Sequence, residues 1–181
     1  MNKAVFLDRD GTINIEKNYL YKVEDFVFIR GTVEAIKIFH NLGYIVIVIT
    51  NQAGVARGYY TESDVKELHN YIDAELIKNG TYVDAYYYCP HHPEGIAVEY
   101  AVECECRKPN TGMIEQAVKD FNINLKESFI IGDKEIDIQT GKNAGMKMSI
   151  LVRSGHNINE ANTEADEIYD DLLGFAQTII Q

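Results

Sequence analysis

The run Tyr44-Ile45-Val46-Ile47-Val48-Ile49 contains no charged residue and is mostly β-branched. A strand with one wet face alternates polar and apolar side chains, so an unbroken apolar run is the mark of a strand buried on both faces of a parallel sheet. Parallel neighbours need crossover helices between them, which constrains the rest of the chain to alternate strand and helix. The remaining sequence reads that way. Further strands are predicted at Ala4 to Leu7, Val83 to Tyr88, Ser128 to Ile131 and Met148 to Val152. Helices are predicted from a Thr32 cap to Gly43, from Thr61 with Asp64 to about Lys78, over Thr111 to Phe121 and Glu135 to Ala144, and over about Asp170 to Ile180. Ile13 to Ile29 has no clean period and reads as an irregular flap over the first strand. Cys89 to Pro109 reads as a long loop that needs something to hold it.

The predicted fold is therefore a doubly wound α/β parallel sheet with helices on both faces, as a single domain over residues 1–181. The length of 181 residues and 46% hydrophobic content suit one sizeable core. In such folds ligands bind outside the carboxyl ends of the strands. Asp8 and Asp10, Thr50, and Asp133 each follow a predicted strand, and Lys108 lies in a loop at the same end.

Composition bounds the partners. The formal net charge of −11 argues against a nucleic-acid backbone, which needs a basic face. No run reaches the roughly 18 to 20 apolar residues of a membrane span, and the N-terminus enters Ala4 to Leu7 without a signal-peptide pattern. A cytoplasmic protein that binds neither nucleic acid nor membrane, and acts as a monomer, is expected.

Alternation places Asp8 and Asp10 on one side of an extended backbone, and Gly11 lets the chain turn away. Two carboxylates that close are tolerable with a hard cation such as Mg2+ between them, or with one protonated. With a phosphate ester these groups make a complete set of parts. Asp8 is a nucleophile, Asp10 protonates the leaving oxygen and later deprotonates water, Thr50 donates a hydrogen bond, and Mg2+ and Lys108 offset the phosphoryl charge.

The order Asp8-x-Asp10-Gly-Thr, Thr50, Lys108-Pro109 and Gly132-Asp133 with Asp137 resembles the haloacid dehalogenase superfamily of phosphohydrolases. That resemblance implies Mg2+ held by the Asp8 carboxylate, the Asp10 backbone carbonyl and Asp133, with Asp137 behind them. The stretches Asp8 to Asn14, Thr50 to Gly58 and Cys104-x-Cys106-Arg107-Lys108-Pro109 resemble, more narrowly, the histidinol-phosphatase-like branch that includes the heptose bisphosphate phosphatases. The Arg57 stretch and the long interval between His91 and Cys104 favour the heptose members. The resemblance implies removal of the 7-phosphate of a heptose 1,7-bisphosphate, of either anomer, in nucleotide-activated heptose and surface glycan biosynthesis. A histidinol-phosphate phosphatase is the alternative. A phosphoryl-accepting signalling module is the non-enzyme rival, disfavoured because Asp10 would hydrolyse the acyl phosphate it needs to keep. No cap domain is visible, so substrate recognition falls to loops, with Asn51, Arg57, Arg107 and Lys108 as binding residues and a guanidinium of Arg57 or Arg107 gripping the second phosphate.

The cysteines carry a separate expectation. Three of them, Cys89, Cys104 and Cys106, make an odd count in one loop region, which suits a metal better than a disulfide framework. Cys89-x-His and Cys104-x-Cys106 offer three sulfurs and a nitrogen, a tetrahedral Zn2+ set with no open position and hence a structural role. Either His91 or His92 could be the fourth ligand, and the resemblance selects His91. His40, His69 and His156 are assigned solvated or capping roles only, Glu160 to Asp171 a solvated surface, and Tyr86 to Tyr88 strand packing rather than a sugar platform.

Overall fold

The computed structural model describes residues 1–180. Six strands form one parallel sheet: β1 (Lys3–Leu7), β2 (Tyr44–Asn51), β3 (Ala85–Cys89), β4 (Phe129–Gly132), β5 (Met148–Val152) and β6 (Glu167–Tyr169), in the order β3-β2-β1-β4-β5-β6. The helices are α1 (Thr32–Asn41), α2 (Glu62–Lys78), α3 (Gly112–Phe121), α4 (Glu135–Ala144) and α5 (Leu172–Thr178).

The period-two alternation of each strand divides the interior into two cores. Val5, Leu7, Val46, Val48 and Ile131 meet α1, α2 and α5 through Ile36, Leu68, Ile72 and Phe175. Ala4, Phe6, Ile47, Ile49 and Ile130 point the other way and meet α3 through Met113, Ile114 and Ala117. Both faces are thus covered, and the doubly wound arrangement expected from Tyr44 to Ile49 is the one observed.

Several local expectations are corrected. Thr32 does not cap α1: Gly31, at φ +87°, occupies that position, and the Thr32 hydroxyl instead donates to the Ile13 carbonyl and pins the flap. Thr50 lies inside β2 rather than after it, and β3 runs two residues later than expected at its start and one at its end. The segment Glu160 to Asp171 is not merely solvated surface. It contains β6, paired to β5 from Ile150 with Glu167 to Val152 with Tyr169, an edge strand too short and acidic to show a strand pattern. The last helix starts at Leu172, where the Asp171 carboxylate accepts the Gly174 N–H. The Thr61 and Asp64 capping box is present as expected.

Candidate active site and metal centres

A cavity of about 380 Å³ opens at the carboxyl edge of the sheet, with Asp8, Asp10, Thr50, Lys108 and Asp137 among its lining residues. The sheet brings them together from 130 residues of chain, Asp8 to Asp137, because β1, β2 and β4 are adjacent and end at one level.

Lys108 organises the floor. Its ammonium is buried and donates to Asp8 Oδ1 at 2.8 Å, Asp137 Oδ1 at 2.6 Å and the Ile49 carbonyl at 3.0 Å. All three of its donors are used, so it supplies charge more than a free hydrogen bond. Burial alone would favour the neutral amine; the carboxylates of Asp137 and Asp8 outweigh it and raise the pKa. Asp8 has the reverse balance. Burial, assisted by Asp137 and Asp133, raises its pKa to about 8 although Lys108 pulls it down.

Asp133 tests the fit of a cation. It is fully buried, and its Oδ2 accepts from the His156 N–H at 2.8 Å and ring Nδ1 at 2.6 Å. Its Oδ1 has no partner. A buried carboxylate oxygen left bare is costly unless something positive meets it. Asp8, Asp133 and Asp137 each offer an oxygen within 4.8 Å of the others. Asp137 is the least available of the three, since Oδ1 takes Lys108 and Oδ2 the Lys134 N–H. The donor set is hard oxygen, which fits Mg2+, and a divalent cation there would also restore the Asp8 charge. The packing leaves no slack. A Cβ on Gly11 would lie 2.2 Å from Asp133 Oδ2, and one on Gly155 2.0 Å from it.

Asp10 lines the same cavity but is not one of the clustered carboxylates. Arg9, fully buried, pairs with it at 3.0 Å, Asn14 donates to Oδ1 at 3.1 Å and Gln52 to Oδ2 at 3.2 Å. Burial would raise its pKa, but these donors, Arg9 foremost, hold it below the usual carboxylate range. Thr50 Oγ1 accepts from Gln52 Nε2 at 2.8 Å, which leaves its own O–H to donate into the cavity.

The expected substrate-binding residues separate. Arg107 lines the cavity, tethered by a bond to the His91 carbonyl at 3.2 Å, whereas Arg57 is not among the lining residues. Asn51 lines the cavity but spends both ends of its amide on the Lys108 backbone, accepting at 3.0 Å and donating at 3.2 Å. That makes it a clamp on the lysine rather than a free substrate contact.

The histidine assignments also need revision. His156 has a partner after all, Asp133, and lines the cavity. His69 is neither solvated nor a cap: it is buried, stacked on Tyr86 and 3.3 Å from Arg9. His40 bonds Thr81 and Asp84. Arg9, Asn14 and Gln52 were not singled out from sequence. Gln52 had a readable signal, since strand alternation puts it on the side of Thr50. The position of His156 just past β5, on the same edge, was another.

In the long loop, the sulfurs of Cys89, Cys104 and Cys106 lie 3.4, 3.2 and 3.0 Å apart, with His91 Nδ1 3.7 Å from Cys89 and 3.5 Å from Cys106. Tetrahedral zinc with bonds of about 2.3 and 2.0 Å sets such edges at roughly 3.8 Å for S to S and roughly 3.5 Å for S to N. The four donors make a slightly contracted tetrahedron, and the cysteines are not disulfide-bonded. His92 Nδ1 instead accepts the Glu94 N–H. Tyr86, Tyr87 and Tyr88 bond Asp73, Asp120 and Glu62 through their hydroxyls and lie outside the cavity lining.

Comparison with known proteins agrees with this geometry. The HAD-hydrolase-like family matches residues 105–175. The D-glycero-beta-D-manno-heptose-1,7-bisphosphate 7-phosphatase of Haemophilus ducreyi is 44% identical over 94% of each chain. The D-glycero-alpha-D-manno-heptose-1,7-bisphosphate 7-phosphatase of Photorhabdus laumondii is 45% identical over 90% of this chain and 89% of its own. Among solved structures, the D,D-heptose 1,7-bisphosphate phosphatase from B. bronchiseptica, complexed with magnesium and phosphate, superposes with a TM-score of 0.84 at 27% identity, covering 99% of this chain and 98% of that one. With this identity over nearly its whole length, and with the strand-end carboxylates and lysine that such chemistry needs, the chain belongs to the HAD-like phosphatase family.

Proposed function

We propose that residues 1–181 act as one phosphatase domain that removes the 7-phosphate of D-glycero-D-manno-heptose 1,7-bisphosphate in nucleotide-activated heptose and surface glycan biosynthesis. The observation that carries the reaction is the cavity floor, where Asp8 is engaged by Lys108 and the bare Asp133 Oδ1 waits beside it. The substrate rests on the names of the relatives, which include both anomers and leave that choice open.

Mg2+ held by Asp8, Asp133 and the Asp10 carbonyl would supply positive charge against the phosphoryl oxygens. The protein groups then divide the work. Lys108 holds Asp8 through Oδ1, and the other carboxylate oxygen attacks phosphorus. The P–O7 bond breaks, Asp10 gives its proton to the leaving oxygen, and Asp8 carries the phosphoryl group. A water next attacks that phosphorus, Asp10 takes the water proton, and the bond to Asp8 breaks to release phosphate. Asp10 is held as a carboxylate by Arg9, Asn14 and Gln52, which suits the second step. Arrival of an anionic phosphate opposite it favours the protonated form needed for the first. Thr50 donates to a phosphoryl oxygen, and Arg107 is the guanidinium available for the second phosphate.

Cys89, His91, Cys104 and Cys106 would hold Zn2+, which would tie down the loop from which Arg107 and Lys108 project. The enzyme is read as a cytoplasmic monomer with no nucleic-acid or membrane partner; its reduced cysteines accord with the cytoplasm, and the acidic net charge of −11 with the lack of a nucleic-acid partner. No helix among the described residues is long and apolar enough to cross a membrane.

The test is phosphate release from a panel containing heptose 1,7-bisphosphate, histidinol phosphate and simple sugar phosphates, with and without Mg2+. A strong preference for the bisphosphate and loss of the 7-phosphate are expected. Preference for histidinol phosphate would overturn the substrate but leave the chemistry of Asp8 standing. A phosphorylated Asp8 that persists for hours would favour a signalling role.

A further inference from the structure

We propose that Tyr19, backed by Tyr59, forms a carbohydrate-facing wall of the cavity and sets its preference for sugar phosphates. This rests on the reading of the cavity as a sugar-phosphate site. The lining is otherwise dominated by carboxylates, amides and cations; its phenol rings are Tyr19 and Tyr60. Tyr60 is committed elsewhere. It is buried, stacked on Tyr21 with centroids 5.2 Å apart, and its hydroxyl donates to Gln52 at 2.6 Å. Tyr19 is 37% exposed and meets Tyr59 edge to face at 4.9 Å, so its ring is braced from one side and open on another.

The backbone that presents this ring is strained. Asn18 at φ +52° and Tyr19 at φ +65° both occupy the left-handed region, which asparagine tolerates but a bulky side chain such as tyrosine rarely adopts. Glu16 holds the turn by accepting the Asn18 N–H on its side chain. Strain of this sort persists where surrounding structure enforces it, and it gathers at ligand sites. Its result here is that Glu16, Asn18 and Tyr19 all face the cavity. A heptose matches them: one C–H face to lie on an aromatic ring, and a rim of hydroxyls for a carboxylate and an amide. A short alkyl phosphate offers neither.

The experiment is steady-state kinetics of the wild type, Tyr19→Ala, Tyr19→Phe and Tyr59→Ala on heptose 1,7-bisphosphate and on ethyl phosphate. Tyr19→Ala should lower kcat/KM for the heptose ester about tenfold, chiefly through KM, and leave ethyl phosphate within about twofold. Tyr19→Phe should behave as wild type, because the ring and not the hydroxyl makes the contact, and Tyr59→Ala should fall between. Equal losses on both substrates, no loss on either, or a Tyr19→Phe defect as large as that of alanine would each overturn the wall. A wild type that does not favour the heptose ester over ethyl phosphate sinks the substrate reading and the wall together, whereas a wild type that does, with Tyr19→Ala losing equally on both, sinks the wall alone.

Discussion

The cavity floor and the cysteine loop each gather groups able to hold a metal, yet they are built in opposite ways. On the floor, Asp8, Lys108, Asp133 and Asp137 arrive just past β1, on a loop, just past β4 and at the start of α4, and are buried, with Asp8, Lys108 and Asp137 linked through the lysine ammonium. The sheet would hold them without an ion. The four loop donors lie within 18 residues, in a segment that has no helix or strand after Cys89 and exposes Ile96 and Val98. A loop with so little core has few other ways to stay ordered. Hard oxygen donors sit where chemistry needs charge, and soft donors where the chain needs a staple. The floor should therefore be sensitive in rate, the loop in stability.

The largest contrast comes from Asp8→Asn. An amide cannot form the acyl phosphate, so turnover should fall by more than about 10⁴-fold. Zinc content and far-UV circular dichroism should stay those of wild type, and measurable turnover near wild type would break the nucleophile assignment. Cys104→Ser or Cys106→Ser should do the converse. One zinc per chain, measured by elemental analysis of unchelated protein, should drop toward none, and the melting temperature should fall by several degrees, with activity reduced about tenfold through displaced Arg107 and Lys108.

The second phosphate gives a contrast within the cavity itself. Removing Arg107, which lines the cavity, should cost on the order of thirtyfold in kcat/KM on the bisphosphate, about 2 kcal/mol, and much less on a monophosphate. Arg57→Ala should cost under about threefold on either. A reversed order would show that the guanidinium outside the lining swings in when substrate binds.

Acid gives the most local contrast, read in stability rather than in rate. Burial, with the nearby Arg9 charge, lowers the His69 pKa to about 3 from its ordinary 6.5. The unfolded chain therefore binds the proton first as pH falls, so stability contributed by neutral His69 is complete above about pH 6.5 and declines toward pH 3. By pH 4.5 the loss should be roughly 2 to 3 kcal/mol. Urea melts between pH 7 and 4.5 should show it, and His69→Phe should flatten that limb without altering zinc content. An unchanged slope would mean that another group governs acid unfolding on the Arg9 side.

How much of this was legible in the chain follows from the range of each interaction. The apolar run at Tyr44 to Ile49 fixed a double-sided parallel sheet because burial on both faces leaves a one-dimensional mark, and the strand-end positions of Asp8, Asp10 and Asp133 follow from the sheet. The sulfur donors of the loop were legible because their spacing is local. β6 was not, since a three-residue edge strand with Glu167 takes its identity from pairing to β5.

What only the tertiary structure decided are the contacts between residues far apart in sequence. The chain offers Arg57 and Arg107 as equals; packing puts one on the cavity wall and leaves the other off it. It offers His156 as an ordinary loop histidine, and the adjacency of β4 and β5 sets it on Asp133 across 23 residues. Arg9 sits between the two acids in the sequence, pointing by alternation to their opposite side, yet its long side chain returns in a turn to grip Asp10. Periodicity and spacing determine which elements form and where their ends lie. Which oxygen is left bare, which donor is spent and which side chain reaches the cavity depend on close packing of distant segments, and no local pattern encodes that.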